Sequence, residues 1–275
     1  MTDSNTLLIV AYPRIIHPID LALMTQKNIK IVALTFALLN ALGLAPQTHA
    51  AAAPVVQDDL VQDAGSWAQV AAEGSLKSVD PKLEKVRVWL EGQSRWDHNW
   101  DHWYQGMARA AVGYALTDRA TIWAGYTYLP TQQISASGVV APYKAQQDIW
   151  PGFRYVLPTS LGTVTFRTII ESNFIPYNNN EVRVRPRQMV RFMHPLDLEP
   201  RLSLISWDEA FVRVNSTPTG GQAGFDQNRF FAGLGWSFNK NFRAEGGYLN
   251  QYLARINTTP DTMHHLIMGS LFINW

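Results

Sequence analysis

The clearest alternation of apolar and polar positions lies at the carboxyl end of the chain, in the stretch MHHLIMGSLFINW at 263–275. Ile267, Leu271 and Trp275 share one face of a strand with Gly269 and Ile273. An apolar strand at the edge of a soluble sheet promotes aggregation, whereas a closed barrel in lipid pairs every backbone group. The pattern favours the closing strand of an outer-membrane β-barrel, with the last strand of a soluble sandwich as the alternative.

The same alternation recurs from Leu83 to the carboxyl end. It predicts ten strands, at 83–96, 103–116, 119–129, 146–157, 162–175, 182–194, 199–213, 225–238, 241–254 and 263–275. Tight connections alternate with longer polar ones, as is typical of an up-and-down antiparallel transmembrane barrel with periplasmic turns and external loops. Ten strands would also leave both ends of the barrel in the periplasm. Twelve strands are the alternative count.

The first 53 residues predict export. Lys27 and Lys30 precede an apolar run that ends in a zone of small residues at Ala50 to Ala53, so residues 24–53 are interpreted as a cleaved secretory signal peptide. The apolar run is too short for a transmembrane helix. Residues 1–23 are interpreted as a non-native start, which sequencing of the exported amino terminus would test.

The segment between the signal peptide and the predicted barrel has no clear period. Residues 54–82 are predicted to be a periplasmic lead-in or a plug, while Trp67 to Leu76 could equally form a short strand. An eleventh strand would give an odd count, which bacterial barrels avoid. The barrel itself is therefore placed at 83–275.

Composition supports a membrane barrel. Charged residues make up 16% of the chain, below the usual quarter, and ten Trp, ten Tyr and twelve Phe would supply two interfacial girdles. A net charge of +1 gives no basic surface for nucleic acid. The chain has no cysteine, so no disulfide stabilises it. The partners expected are outer-membrane lipid, lipopolysaccharide, and the barrel-assembly machinery acting on the strand that ends at Trp275.

Two stretches carry a resemblance to a known family. They are FDQNRFFAGLGW at 225–236 and EGGYLNQY at 245–252, supported by the shorter pieces at 88–96, 112–114, 123–126 and 207–211. Over Trp67 to Trp275 the chain resembles the bacterial outer-membrane barrels called domain of unknown function 2490. The resemblance implies a barrel in the outer membrane and supplies no reaction, substrate or catalytic residue.

The polar face of the strands is assigned inward, because a charge facing the bilayer centre costs about 2–4 kcal/mol. This face carries eleven arginines and four carboxylates: Arg87, Glu91, Arg95, Arg109, Asp148, Arg154, Arg167, Glu171, Arg183, Arg185, Arg187, Arg191, Arg229, Arg243 and Glu245. The excess of arginine suggests a narrow pore for anions or other small solutes. The alternative is a salt-bridge network that fills a small barrel and conducts nothing.

A second candidate site lies at the outer rim. Its residues are Asp97, His98, Asp101 and His102 from one loop, and His264 and His265 from the start of the last strand, which closure would bring beside that loop. Imidazole and carboxylate together can bind a transition metal or activate water for hydrolysis. The alternative is a set of solvated loop residues. No cofactor is predicted.

Other candidate chemistry is weak. Asp208, Glu209 and Asp226 are placed near the outer rim, where divalent cations bridge lipopolysaccharide. Ser203 or Ser206 with His194 is too loose a match for a lipase-type site, and His194 lies near a predicted periplasmic turn. The sequence contains no nucleophile elbow, zinc-protease motif, phosphate loop or dinucleotide fingerprint. An enzyme is therefore the less favoured prediction.

Overall fold

The computed structural model describes residues 60–132, 140, 142–175, 180–218, 221–254 and 260–275, which form a closed barrel of eleven strands. The predicted signal peptide and non-native start, residues 1–53, lie outside the described residues. The strands are β1 (Val61–Ser75), β2 (Val86–Asp97), β3 (His102–Ala115), β4 (Ala120–Thr131), β5 (Lys144–Thr159), β6 (Gly162–Ile175), β7 (Glu181–Leu196), β8 (Glu199–Arg213), β9 (Gly224–Ser237), β10 (Phe242–Leu253) and β11 (Thr262–Asn274).

Every strand pairs antiparallel with the next one in sequence, and β1 closes the barrel by pairing parallel with β11. The parallel register runs from Val61 opposite Thr262 to Glu73 opposite Asn274. The hydrogen bonding between β1 and β11 continues past the end of β11, where the Trp275 amide donates to the Glu73 carbonyl at 3.2 Å. The barrel therefore has no open edge among its strands.

The predicted all-β barrel is confirmed, with eleven strands in place of ten or twelve. The interpretation of residues 54–82 as a lead-in or plug is wrong for Val61–Ser75, which is a full strand of the wall. Because β1 and β11 run in the same direction, Val61 and Asn274 lie at opposite ends of the barrel. The expectation that both ends of the barrel share one side is wrong for the same reason.

The two ends of the barrel differ in their connections. The turn end carries the connections 116–119, 160–161, 197–198 and 238–241, and a longer one that contains two short 3-10 turns, Leu76–Ser78 and Pro81–Leu83. The loop end carries 98–101, 132–143, 176–180, 214–223 and 254–261. This is the predicted alternation of tight and long connections.

Successive residues of each strand point alternately into and out of the barrel. In β4, Trp123 and Thr127 are buried inside, whereas Ile122 and Tyr126 are more than 40% exposed on the outside. The outward face is mainly apolar in all eleven strands, and the inward face mixes aromatic and charged side chains. The described residues contain no helix long and apolar enough to cross a bilayer.

Two apolar clusters occupy the interior. One joins Trp67, Ile205, Phe231, Leu249, Leu266 and Met268, and the other joins Trp89, Ala111, Trp123, Trp150 and Ile169. Trp89 packs edge to face on both Trp123 and Trp150, with ring centroids 5.8 Å apart. These clusters narrow the lumen and leave the charged side chains in the space between them.

Candidate functional site

A layer of buried ion pairs crosses the lumen near the middle of the strands. Arg109 contacts Glu91 at 3.1 Å, and both side chains are at most 5% exposed. Arg187 lies 3.3 Å from Glu171 and 3.6 Å from Glu209, and these three side chains are equally buried. Glu209 is shared further with Arg167 at 3.0 Å and with Arg229 at 3.9 Å. This layer links side chains of six strands, β2, β3 and β6 to β9, at mid-height.

The network continues from the middle layer toward the loop end. Arg185 contacts Glu171 at 2.8 Å and Asp226 at 2.9 Å. Arg213 contacts the second oxygen of Asp226 at 2.9 Å. Arg183 donates to Gln146 at 3.1 Å, and Asp148 accepts from Gln146 at 2.7 Å and from Asn173 at 2.8 Å. Paired polar side chains therefore occupy the lumen between the middle layer and the loop end.

Toward the turn end the charged side chains become more exposed. Arg154 forms a two-bonded pair with Glu73, and each of these side chains is 26% exposed. Arg191 and Arg243 share Glu245, to which Arg243 donates at 2.8 Å. Exposure rises from a few per cent in the middle layer to about a quarter here, which indicates that water reaches the lumen from the turn end.

The lumen encloses a cavity of about 390 Å³ that reaches from Arg95, near the loop end of β2, to Glu73, near the turn end of β1. Its lining contains eight arginines, Arg95, Arg109, Arg154, Arg167, Arg187, Arg191, Arg229 and Arg243, and four glutamates, Glu73, Glu91, Glu209 and Glu245. The formal charge of the lining is therefore +4. Such an excess in a confined, low-dielectric space creates a strong positive potential.

Part of this positive charge surrounds Trp67. The guanidinium carbon of Arg95 lies 4.0 Å from the centroid of the Trp67 ring, and that of Arg229 lies 4.9 Å from it. Arg95 is 5% exposed and its nearest acceptors are the amide oxygens of Gln93 and Gln105. No carboxylate forms an ion pair with Arg95 among the described residues.

Several donors that line the cavity lack an acceptor. The Trp67 Nε1, the Arg229 Nε and the Nη2 of Arg187 are buried without a hydrogen-bond partner among the described residues. Every such atom in the described cavity lining is an N–H group. A buried donor without an acceptor costs free energy, which an anionic ligand would offset.

The loop end carries a compact group of imidazole and carboxylate. Asp97 Oδ1 lies 2.9 Å from Nδ1 of His98 and 3.0 Å from Nδ1 of His102, and the two rings are perpendicular with centroids 5.8 Å apart. The hydrogen bond to Asp97 raises the pKa of the His98 imidazole above its ordinary value. Two nitrogens and one oxygen in this arrangement can act as ligands of a metal ion.

The structure divides the rim patch expected from the sequence. Asp97, His98 and His102 lie together, whereas His264 lies 3.5 Å from Asp63 on the neighbouring strand β1. His265 points to the outside and contacts the Tyr248 hydroxyl at 2.6 Å, because successive residues of a strand face opposite sides. Asp101 is exposed and its amide bonds the His98 carbonyl. The expectation of one patch is wrong because β1 separates β11 from the loop.

The residues predicted to line the lumen lie on inward positions, and most of them take part in ion pairs. They are Glu91, Arg95, Arg109, Asp148, Arg154, Arg167, Glu171, Arg183, Arg185, Arg187, Arg191, Arg229, Arg243 and Glu245. Arg87 lies at the turn end, opposite Ser75 in the β1–β2 register, and no ion pair joins it to another described residue.

Sequence reasoning missed five residues of the network. Glu73 and Trp67 belong to β1, which was not predicted as part of the wall. Glu209 was placed at the rim with Asp208, although it alternates with Trp207 and Phe211 of the inward face, and that alternation was the available signal. Asp226 and Arg213 meet beside a β-bulge between Phe211 and Val212, which no pattern in the sequence indicates.

Comparison with known proteins agrees with the resemblance noted in the sequence. The sequence model of a family described as "Protein of unknown function (DUF2490)" matches residues 64–263. The chain is also similar to an uncharacterized protein of Methylorubrum extorquens strain AM1, with 28% identity over 216 residues that make up 78% of this chain and 89% of the other. No solved structure matches the chain. Since the family match covers most of the barrel, the chain belongs to the DUF2490 family.

Proposed function

We propose that this chain is an outer-membrane β-barrel whose lumen takes up small anionic solutes from the turn end. The apolar outward face supports the membrane part of the proposal. Leu90, Ile149 and Ile267 are each about half exposed or more, and they lie near the middle of their strands. In water this surface would cost about 25 cal/mol per Å², and a bilayer removes that cost.

The +4 charge of the cavity lining is the observation that carries the anion part of the proposal. The three carboxylates of the middle layer, those of Glu91, Glu171 and Glu209, each already form an ion pair with one or more arginines. A small oxyanion would accept from the donors that have no acceptor and would compensate the charges of Arg95 and Arg229. The chamber thus fits inorganic phosphate or a small carboxylate better than a neutral or cationic solute.

The middle layer favours a chamber over an open pore. Its ion pairs, and the paired polar side chains toward the loop end, occupy space in the lumen that a solute crossing the barrel would need. The proposal is therefore a selective anion chamber and not an open diffusion pore. Outer-membrane lipid, lipopolysaccharide and the assembly machinery remain the partners proposed for the outward face.

Hydrolysis at the rim receives no support of this kind. His98 and His102 both contact Asp97, but no serine or threonine hydroxyl is hydrogen-bonded to either ring among the described residues. The contacts of Asp97 with the two rings fix the β2–β3 loop.

Titration of the refolded full chain in detergent micelles with sodium phosphate tests the proposed function. Wild type is expected to bind phosphate, and the double variant Arg95→Gln, Arg229→Gln is expected to bind at least about tenfold more weakly, since one charge-assisted hydrogen bond contributes about 1.5–3 kcal/mol. Arg201→Gln, which removes an exposed guanidinium paired with Glu199, is the matched control and should bind like wild type.

Two results would contradict the proposal. Absence of phosphate binding by folded wild type would leave the lumen as a structural salt-bridge network. Equal affinity of wild type and the double variant, with both chains folded, would show that phosphate binds outside the chamber.

A further inference from the structure

We infer that Asp97, His98 and His102 form a binding site for one divalent transition-metal ion at the loop end, separate from the lumen and its anion chamber. Their ligand atoms all lie within 4.8 Å of one another. The three side chains come from the end of β2, the loop that follows, and the start of β3. None of the three residues belongs to the chamber lining, although Arg95 of that lining lies two positions before Asp97 on β2.

The hairpin brings the two outer ligands together. Asp97 and His102 are a directly opposed pair in the β2–β3 register, and a shift in that register between Arg95 and Trp96 precedes them. Side chains at directly opposed positions lie close enough to touch. His98 then follows in a left-handed conformation, with a φ of 50°, which turns its imidazole toward the Asp97 carboxylate.

The loop is held in a costly conformation by the neighbouring strand. His98, Asn99 and Trp100 all have positive φ values, of 50°, 55° and 72°, although none is glycine. The Asp63 carboxylate accepts from the His98 amide at 3.1 Å, and the Ala64 carbonyl accepts from the Asn99 amide at 2.9 Å. Strand β1 thus fixes the loop before any ion arrives, which reduces the cost of ordering the ligands.

The donor set selects the class of ion. Two imidazole nitrogens and one carboxylate oxygen suit zinc, copper or nickel, whereas calcium and magnesium prefer oxygen alone. The separations of 2.9 and 3.0 Å between Asp97 and the two rings are slightly shorter than the spacing of about 3.3 Å between tetrahedral ligands with zinc bonds near 2.0 Å. A small outward movement of the rings would admit the ion in place of the protons that now join them to Asp97.

The burial of His102 is a second observation that favours a ligand. The His102 side chain is 9% exposed, and its Nε2 has no hydrogen-bond partner among the described residues. Only an ion bound at Nε2 would satisfy this nitrogen, and either ring nitrogen of His102 can serve as the ligand atom. The half-exposed His98 leaves the site open to solvent, so an ion can enter and water can complete its coordination.

Equilibrium dialysis of the refolded full chain against zinc chloride tests the site. Wild type is expected to retain one zinc per chain. Asp97→Asn and His102→Gln should each weaken binding by at least the factor of about 10–100 that loss of an outer-shell partner costs. His194→Gln at the turn end and His265→Gln on the outward face are matched controls, because each removes an imidazole from outside the site.

The variant His98→Gln distinguishes loss of the site from loss of folding. It leaves the buried Asp97–His102 pair in place, so the chain should fold, and it should still weaken zinc binding. Retention of zinc by all three site variants, or loss of zinc in His194→Gln, would overturn the inference. Wild type that binds no zinc would overturn it as well. Phosphate binding in the chamber is measured independently, so either proposal can fail while the other holds.

Discussion

The substitution Val70→Pro is expected to abolish folding of the barrel. Val70 lies in the middle of β1, between Gly92 of β2 and Leu271 of β11, so its amide belongs to a ladder on one side or the other. Proline removes that donor from the strand that closes the barrel, whereas Pro151 of β5 and Pro186 of β7 lie in strands that pair on both sides with their sequence neighbours. Heat-modifiable migration in SDS gels measures the folded fraction, which should fall from nearly all of the chain to almost none.

The control for this experiment is Val70→Ala, which keeps the amide and removes only outward-facing carbons. It should fold like wild type. If residues 61–75 were a plug inside a ten-strand wall, Val70→Pro would fold as well as Val70→Ala. Folding of the proline variant would therefore contradict the eleven-strand closure.

The substitution Glu209→Gln is expected to lower the free energy of unfolding by about 3–5 kcal/mol, the usual cost of breaking a buried ion pair. Glu209 is 3% exposed and neutralises Arg167, Arg187 and Arg229. Glutamine keeps the shape but leaves three arginines without that charge. Urea unfolding of the refolded chain, monitored by tryptophan fluorescence, measures the change.

The control for Glu209 is Glu199→Gln, which removes the carboxylate of an exposed pair with Arg201 and should change stability little. Phosphate should restore part of the stability that Glu209→Gln loses, because an anion in the chamber replaces some of the missing negative charge. A Glu209→Gln variant as stable as wild type would mean that other groups compensate the three arginines.

The alternation of faces was predictable because it depends on local spacing alone. The pattern from Leu266 to Asn274 predicted which residues of β11 share a face, and the inward set in β7 was predicted in the same way. Tight turns such as 160–161 and 197–198 were also within reach, since their short polar segments interrupt clear strands. A hydrophobic pattern with a period of two residues can therefore be recognised from the sequence alone.

Strand β1 was not predictable by that route. Ala64, Ala68 and Ala72 face outward, and Gly65 and Ala71 face inward. Because small residues occur on both faces, the two faces of β1 differ little in hydrophobicity along the sequence. The even strand count of bacterial barrels also argued against including it. The position of β1 in the wall depends on its parallel pairing with β11. This pairing joins residues about two hundred positions apart, so no short sequence pattern indicates it.

The partners of the buried charges depend on closure and could not be read from spacing. Arg191 and Glu245 are 54 positions apart, and Arg154 and Glu73 are 81 apart. The sequence predicted an arginine-rich interior but counted four carboxylates, because Glu73, Glu209 and Asp226 had been assigned elsewhere. Their presence inside lowers the charge excess and explains how so many arginines fit in one lumen.

The central claim is that the outward face of the strands meets lipid while the inward face lines a polar lumen, and single cysteines along β11 test it most directly. The chain has no cysteine of its own, so Ile267, Met268, Gly269, Ser270 and Leu271 can each be replaced and labelled with a fluorophore in proteoliposomes. Quenching by brominated lipid should be strong at positions 267, 269 and 271 and weak at 268 and 270. Equal quenching at all five positions, or strong quenching at 268 and 270, would contradict the account.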